Sequence, residues 1–247
     1  MLELQNVNYC VEDKQILENV NLKIEDQFVV ITGPNGSGKS TLAKVIAGII
    51  KPTSGKILLD GEDITNLSIT ERAKKGISYA FQQPVRFKGL KVRDLMTLAA
   101  GKNEEGKEAT FTEICDMLSE VGLCAKEYIN RDLDDSLSGG ELKRIEIAMI
   151  LARASKLSLF DEPEAGIDLW SFQKLIHVFE KMQKQIKGNI LIISHQERIL
   201  DIADKIIYLK DGKVAKYGEK EPILCEIMGS AEGGSCKILV DKMKGAQ

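Results

Sequence analysis

The nine residues Gly33-Pro34-Asn35-Gly36-Ser37-Gly38-Lys39-Ser40-Thr41 constrain this chain more than any other stretch. They follow the apolar run Phe28-Val29-Val30-Ile31 and precede Leu42-Ala43-Lys44-Val45-Ile46-Ala47, whose apolar residues have helical spacing. A buried strand, a glycine-rich loop and a helix in that order are the context in which the pattern G-x-x-x-x-G-K-[ST] has physical meaning. The glycines let the backbone turn its N–H groups inward to form a nest for anionic oxygens. The helix behind the loop adds the positive end of its dipole. Lys39 is placed to reach the β- and γ-phosphates of a nucleoside triphosphate, and Ser40 to offer a hydroxyl to Mg²⁺.

The sequence on either side predicts an α/β protein. Leu2–Val7 and Val20–Ile24 alternate apolar and polar residues, and Lys56–Gly61 and Gly76–Phe81 read as further strands. From about residue 90 to 155 the β signal is weak. There Leu95, Leu98 and Ala99, then Ile114, Met117, Leu118 and Val121, then Ile145, Ala148, Met149 and Ala152 recur at helical spacing. This predicts a helical lobe inserted into an α/β core formed by residues 1–89 and 156–228. The core resumes with the compact runs Leu157–Phe160 and Asn189–Ile193, suited to buried parallel strands. A crossover helix is expected over Trp170–Lys187, and a hairpin turn at Asp211-Gly212. Residues 229–247 read as a weakly ordered tail containing one apolar patch, Ile238-Leu239-Val240.

A second constellation carries chemistry. Leu137-Ser138-Gly139-Gly140-Glu141 opens a helix, with Ser138 a plausible N-cap. Either this is a capped helix and nothing more, or Ser138, Gly139 and Gly140 form a second anion site serving the nucleotide of another copy. Leu159-Phe160-Asp161-Glu162-Pro163 ends a buried run with two carboxylates. Asp161 suits Mg²⁺ and Glu162 suits the general base that activates water. His195 follows the next strand, and Gln82 the one after Gly76. In a parallel sheet ligands gather beyond the carboxyl ends of the strands, so one crevice would collect the glycine-rich loop, Gln82, Asp161, Glu162 and His195.

Charge and composition exclude some alternatives. With 34 basic and 37 acidic side chains the net charge is −3. That argues against a nucleic-acid protein, which would show a basic excess. No apolar stretch is long enough to insert in a membrane, and the N-terminal residues lack a signal-peptide pattern, so a cytoplasmic setting is expected. Five cysteines without a C-x-x-C pair fit reduced thiols, and Cys225 with Cys236 supply too few ligands for a metal or cluster site.

Taken together, Gly33–Thr41, Gln82, Leu137–Glu141, Asp161-Glu162, Asp168 and His195 resemble the ATPase of the ABC superfamily over roughly residues 1–220. The resemblance implies a P-loop ABC ATPase core with an antiparallel β subdomain and an inserted helical lobe. It implies that ATP and Mg²⁺ are bound, and that two copies sandwich two ATP molecules head to tail in an ATP-dependent homodimer. Gln82 would link Mg²⁺ and the attacking water to the lobe, His195 would contact the γ-phosphate, and Asp168 would lie in the loop crossing to the other copy. Transporter ATPases usually stack adenine on an aromatic side chain where this chain has Val11, with Tyr9 directed elsewhere. Val11–Leu17, Ala80-Phe81-Gln82 with Pro84-Val85, and His195–Leu200 further resemble the SufC-type ATPases of iron–sulfur cluster assembly. That implies a soluble SufB/SufD-type scaffold as partner, gripped through Val85 and Phe87 with Arg86 and Lys88 at the rim, unless Val85 and Phe87 pack inside the lobe. The ATPase subunit of a membrane importer shares the same chemistry and is the alternative. A protein acting on nucleic acid or the ribosome fits less well, since such proteins usually carry two cassettes and this chain has one P-loop.

Overall fold

The computed structural model describes residues 1–102, 106–185 and 188–231. Its first strands, β1 (Leu2–Val11) and β2 (Lys14–Ile24), pair antiparallel, and β1 also pairs with β4 (Ser54–Leu59), which carries β5 (Glu62–Asp63) at its edge. The larger sheet contains β3 (Phe28–Thr32), β6 (Ile77–Ala80), β9 (Leu157–Asp161), β10 (Asn189–Ile193), β11 (Lys205–Lys210) and β12 (Lys213–Glu219). Its order is β12-β11-β3-β10-β9-β6, parallel throughout except for β12. Helices α1 (Lys39–Ala47), α2 (Ile69–Lys74), α3 (Val92–Ala100), α4 (Phe111–Glu120), α5 (Ala125–Tyr128), α6 (Gly139–Arg153), α7 (Leu169–Gln185), α8 (Glu197–Asp201) and α9 (Lys220–Ala231) complete the fold.

The parallel strands are apolar on both faces because both faces are covered. Phe28, Val30, Phe160, Ile190 and Ile192 join a core shared with α3, α4, α6 and α7. The alternate residues Val29, Ile31, Leu157, Leu159, Leu191 and Ile193 join a second core shared with α1 and the antiparallel sheet. This is the two-residue period of a pleated strand applied to a sheet buried on both sides. In the first core the Phe179 ring meets Phe28 and Phe160 edge-on, at centroid separations of 6.2 and 5.1 Å.

Three helices start with the same reciprocal cap. Ser68 with Glu71, Thr110 with Glu113 and Ser138 with Glu141 each satisfy two backbone donors that a helix start leaves open. The other end of α1 is closed from outside. The guanidinium of Arg72, 1% exposed, donates to the carbonyls of Val45 (2.7 Å), Ile46 (2.8 Å) and Thr65 (2.8 Å).

Three features depart from the sequence reading. A short antiparallel ribbon, β7 (Phe87–Lys91) with β8 (Asp132–Leu133), borders the helical region where no strand is expected. Leu98, whose spacing suggests a core position, is 75% exposed, because that side of α3 faces an open groove. Helix α9 runs past the expected start of the tail at residue 229. Ile238-Leu239-Val240 and Cys236 lie outside the described residues.

Strand register positions the site. Ile193 stands beside both Ile31 and Asp161, and Ala80 stands beside Phe160. Four parallel strands therefore end at one level, and the segments that follow them emerge along one edge of the sheet.

Candidate functional site

The glycine-rich loop follows β3 at that edge, and two of its glycines are dictated by close contact. At Gly33 (φ 143°) a Cβ would lie 1.9 Å from the Leu209 carbonyl oxygen. At Gly38 (φ 97°) it would lie 2.9 Å from both the Ile16 carbonyl oxygen and Leu17 Cδ2. Pro34, Asn35 and Gly36 are exposed at the crest. Lys39, only 6% exposed, donates from Nζ to the carbonyls of Gly33 (2.8 Å) and Pro34 (2.9 Å). Burial lowers its pKa, while the Glu162 and Asp161 carboxylates pull the other way. The Ser37 hydroxyl is buried and has no hydrogen-bond partner among the described residues. A buried hydroxyl is costly to leave unpaired, and phosphate oxygens in the nest would satisfy it. Ser40 and Thr41, half-buried, extend the loop into the first turn of α1.

Asp161 ends β9 and is 1% exposed. It accepts a hydrogen bond on Oδ1 from Ser40 Oγ and on Oδ2 from the Tyr79 hydroxyl, each at 2.8 Å. Glu162 has φ 47°, the left-handed region uncommon for a residue with a Cβ. Its N–H donates to the Ile193 carbonyl at 3.0 Å. Its Oε2 accepts from Gln82 Nε2 at 2.6 Å, so the residues expected to hold metal and to activate water already meet. His195 lies exposed beyond β10. Partial burial and the nearby Lys39 charge lower its pKa, opposed by Glu162. Beside it Ser194 Oγ donates to Glu164 Oε1 at 2.5 Å.

Ser138, Gly139 and Gly140 sit at the start of α6. The Ser138 hydroxyl accepts from the Glu141 N–H at 3.3 Å, and Ser138 N–H donates to Glu141 Oε2 at 2.7 Å. Glu141 is further held by the Tyr128 hydroxyl and by Arg131. Ser138 and Gly139 are exposed, and among the described residues no hydrogen bond joins them to the chain's own glycine-rich loop. Asp168, also exposed, precedes α7. The structure thus assembles Lys39, Ser40, Gln82, Asp161, Glu162 and His195 along one edge, and leaves Ser138–Gly140 and Asp168 facing outward.

Two charged residues that the sequence reading passed over sit behind Gln82. Lys143, 1% exposed, donates from Nζ to the carbonyls of Phe81 (3.0 Å) and Gln82 (2.6 Å). Glu146 Oε1 accepts from Phe81 N–H at 2.9 Å. Burial lowers the pKa of Lys143 and pushes that of Glu146 up to about 7. Their signal was in the sequence: two charges at i and i+3, flanked by Leu142, Ile145 and Ile147 on a helix. Tyr79 gave no such signal.

Ser40 and Asp161 are hard oxygen donors suited to Mg²⁺, but too few to hold it alone. Among the described residues no cluster of three or more His, Cys, Asp and Glu could bind a metal ion. An ion here would need phosphate oxygens, as Mg²⁺ commonly does. Val11 is 46% exposed, and Tyr9 packs against the core beneath the antiparallel sheet. On the flank, Ile69, Val85, Phe87 and Leu98, between 40% and 75% exposed, help line a groove of about 330 Å³. Among the described residues no helix is long and apolar enough to cross a membrane.

The geometry agrees with comparisons to known proteins. A family model described as ABC transporter matches residues 17–165. An uncharacterized ABC transporter ATP-binding protein of Methanocaldococcus jannaschii is 39% identical over 228 residues, covering 90% of each chain. A probable ATP-dependent transporter of Cyanidium caldarium is 34% identical, covering 89% of this chain and 90% of its own. An energy-coupling factor transporter ATP-binding protein of Clostridium acetobutylicum is 32% identical, covering 92% and 82%. Among solved structures, a dimeric ATP-binding cassette in a post-hydrolysis state, bound to ADP and Pi, superposes with a TM-score of 0.78 at 28% identity, covering 89% of this chain and 99% of that one. The iron–sulfur assembly resemblance finds no counterpart in these names, which are those of transporter components. Fold, edge geometry and relatives together place the chain in the ABC transporter family, as an ATP-hydrolysing ATP-binding cassette.

Proposed function

We propose that this chain is the ATP-hydrolysing subunit of a membrane transporter and works as a pair of copies around two ATP molecules. The observation that carries this is the division of the site. Lys39, Ser40, Gln82, Asp161, Glu162 and His195 share one edge, while Ser138, Gly139 and Gly140 face outward, available to a nucleotide held by a second copy. The dimeric cassette bound to ADP and Pi supports the pairing.

In this reading Gly33–Thr41 cradle the phosphates and Lys39 exchanges its carbonyl partners for phosphate oxygens. Ser40, Asp161 and Gln82 would hold Mg²⁺ together with phosphate oxygens, and the ion would supply positive charge against the triphosphate. Glu162 takes a proton from water as the water oxygen bonds to the γ-phosphorus and the bond to ADP breaks. His195, neutral near pH 7 on its lowered pKa, donates an N–H to the γ-phosphate. Asp168 meets the other copy. The apolar groove beside Pro84, Val85 and Phe87 docks the partner, with Arg86 and Lys88 at its rim.

The names of the relatives support a membrane-spanning partner. A second reading, a soluble SufB/SufD-type scaffold, is favoured by the residues Val11–Leu17, Ala80–Gln82 and His195–Leu200. Purification of the protein from native cells, with and without detergent, separates them. Recovery with a multi-span protein only in detergent supports the transporter. Recovery with a soluble scaffold in its absence overturns it.

A further inference from the structure

We propose that Tyr79 is a positioning residue for Asp161 and thereby sets the affinity of the site for its divalent cation. The inference rests on the reading of Asp161 as a metal-binding carboxylate and deepens it.

Asp161 is almost wholly buried, and a carboxylate there needs donors on both oxygens. Ser40 serves Oδ1 and Tyr79 serves Oδ2, each at 2.8 Å. The two donors differ in duty. The Ser40 oxygen is itself expected to face the cation, whereas among the described residues the Tyr79 hydroxyl hydrogen-bonds to the aspartate and to no other group. Strand register explains why a tyrosine fits. Tyr79 stands opposite Leu159, two residues before Asp161 on the neighbouring strand. Its side chain must span a two-residue rise of about 6.6 Å, which a phenol reaches and a serine or threonine does not. The Phe81 ring holds the Tyr79 ring edge-on, with centroids 4.9 Å apart at 77°.

With both oxygens pinned, the carboxylate cannot rotate, and the lone pair left on Oδ1 has a fixed direction. Removing the Tyr79 hydroxyl leaves Oδ2 buried without a donor. The group then turns toward another partner or takes up a proton, and either change weakens its hold on a cation. Loss of an outer hydrogen-bond partner typically costs about 10–100-fold in metal affinity.

The test is Tyr79→Phe, which removes one oxygen and keeps the ring and its packing. Mn²⁺ binding to the protein loaded with adenylyl-imidodiphosphate is followed by electron paramagnetic resonance, and affinity for the nucleotide alone is measured with a chelator present. The expected result is a Mn²⁺ dissociation constant raised about tenfold or more, with metal-free nucleotide affinity within twofold of the parent. Asp161→Asn serves as the reference. Unchanged Mn²⁺ binding in Tyr79→Phe, with Asp161→Asn impaired, overturns the role of Tyr79 and leaves the metal reading standing. Unchanged binding in both removes the metal reading as well. An equal loss of nucleotide affinity with and without metal assigns Tyr79 to the fold and also overturns the proposal.

Discussion

Lys143 Nζ lies 2.6 Å from the carbonyl oxygen of Gln82, joining the helix that begins with Ser138 to the residue whose carboxamide reaches Glu162. With Glu146 on the Phe81 N–H, the buried Lys143 and the half-buried Glu146 of α6 hold the backbone on both sides of one peptide unit. Lys143→Met keeps the length of the side chain and removes its donors. It is expected to lower kcat by roughly tenfold to a hundredfold, the scale of a misplacement near 1 Å, with KM for ATP little changed. Steady-state kinetics check this, and an unchanged kcat would show that Gln82 holds its place without α6.

Lys39→Ala and Glu162→Gln should fail in different ways. Without Lys39 the phosphates lose their fixed cation, and nucleotide binding or hydrolysis should be abolished. Glu162→Gln keeps the shape but cannot take a proton, so binding should persist while turnover falls roughly a hundredfold or more. ATP should then accumulate in a dimer, visible by size exclusion. Normal hydrolysis by Glu162→Gln would place the base elsewhere.

His195 gives a pH dependence with a definite sign. Its pKa is lowered in the folded protein, by burial first and by Lys39 second. The unfolded chain therefore binds more protons between the lowered value and 6.5, and the unliganded fold loses stability as pH falls through that window. The sequence has two histidines, so ring resonances are assigned by His195→Gln. One ring should titrate below 6.5 and shift upward when a triphosphate analogue adds negative charge beside it.

Glu146 acts in the opposite direction. Its folded pKa, pushed up to about 7 by burial, lies above the ordinary 4.5. The native state keeps a proton that the unfolded chain has lost, so this group's stabilisation is present below pH 4.5 and is lost as pH rises through about 7. Lys143, Tyr79 and the Phe81 N–H face the same site. Glu146→Gln keeps an acceptor for Phe81 and removes the titration. The stability difference between parent and variant in urea should change between pH 5 and 8 and be flat above.

Arg72 is the plainest stability prediction. Arg72→Met removes the donors to the Val45, Ile46, Thr65 and Leu67 carbonyls, of which Val45 keeps the Gly48 N–H. At about 1–3 kcal/mol for a group left unpaired, the expected loss is about 3 kcal/mol, read from the denaturant midpoint. A loss under about 0.5 kcal/mol, typical of a plain surface change, would mean that water replaces the guanidinium.

Much of this protein is legible in its sequence because its chemistry is local. Gly33 to Thr41 must be a loop between strand and helix, since glycine spacing and the flanking apolar periods are properties of a short segment. Ser138 with Glu141 and the turn at Asp211-Gly212 are local in the same sense. Asp161, Glu162, Gln82 and His195 could be placed at strand ends, and parallel strands put such ends together. What lies across strands was hidden. The phenol of Tyr79 matters because β6 lies beside β9 in one register, bringing residues 82 positions apart to 2.8 Å. The charges of Lys143 and Glu146 read as a solvated helix face until α6 is packed under the Phe81–Gln82 backbone, where burial forces each to find a partner. Leu98 repeats like a core residue and is exposed, because spacing along a helix gives the residues that share a face, and only packing decides what that face meets.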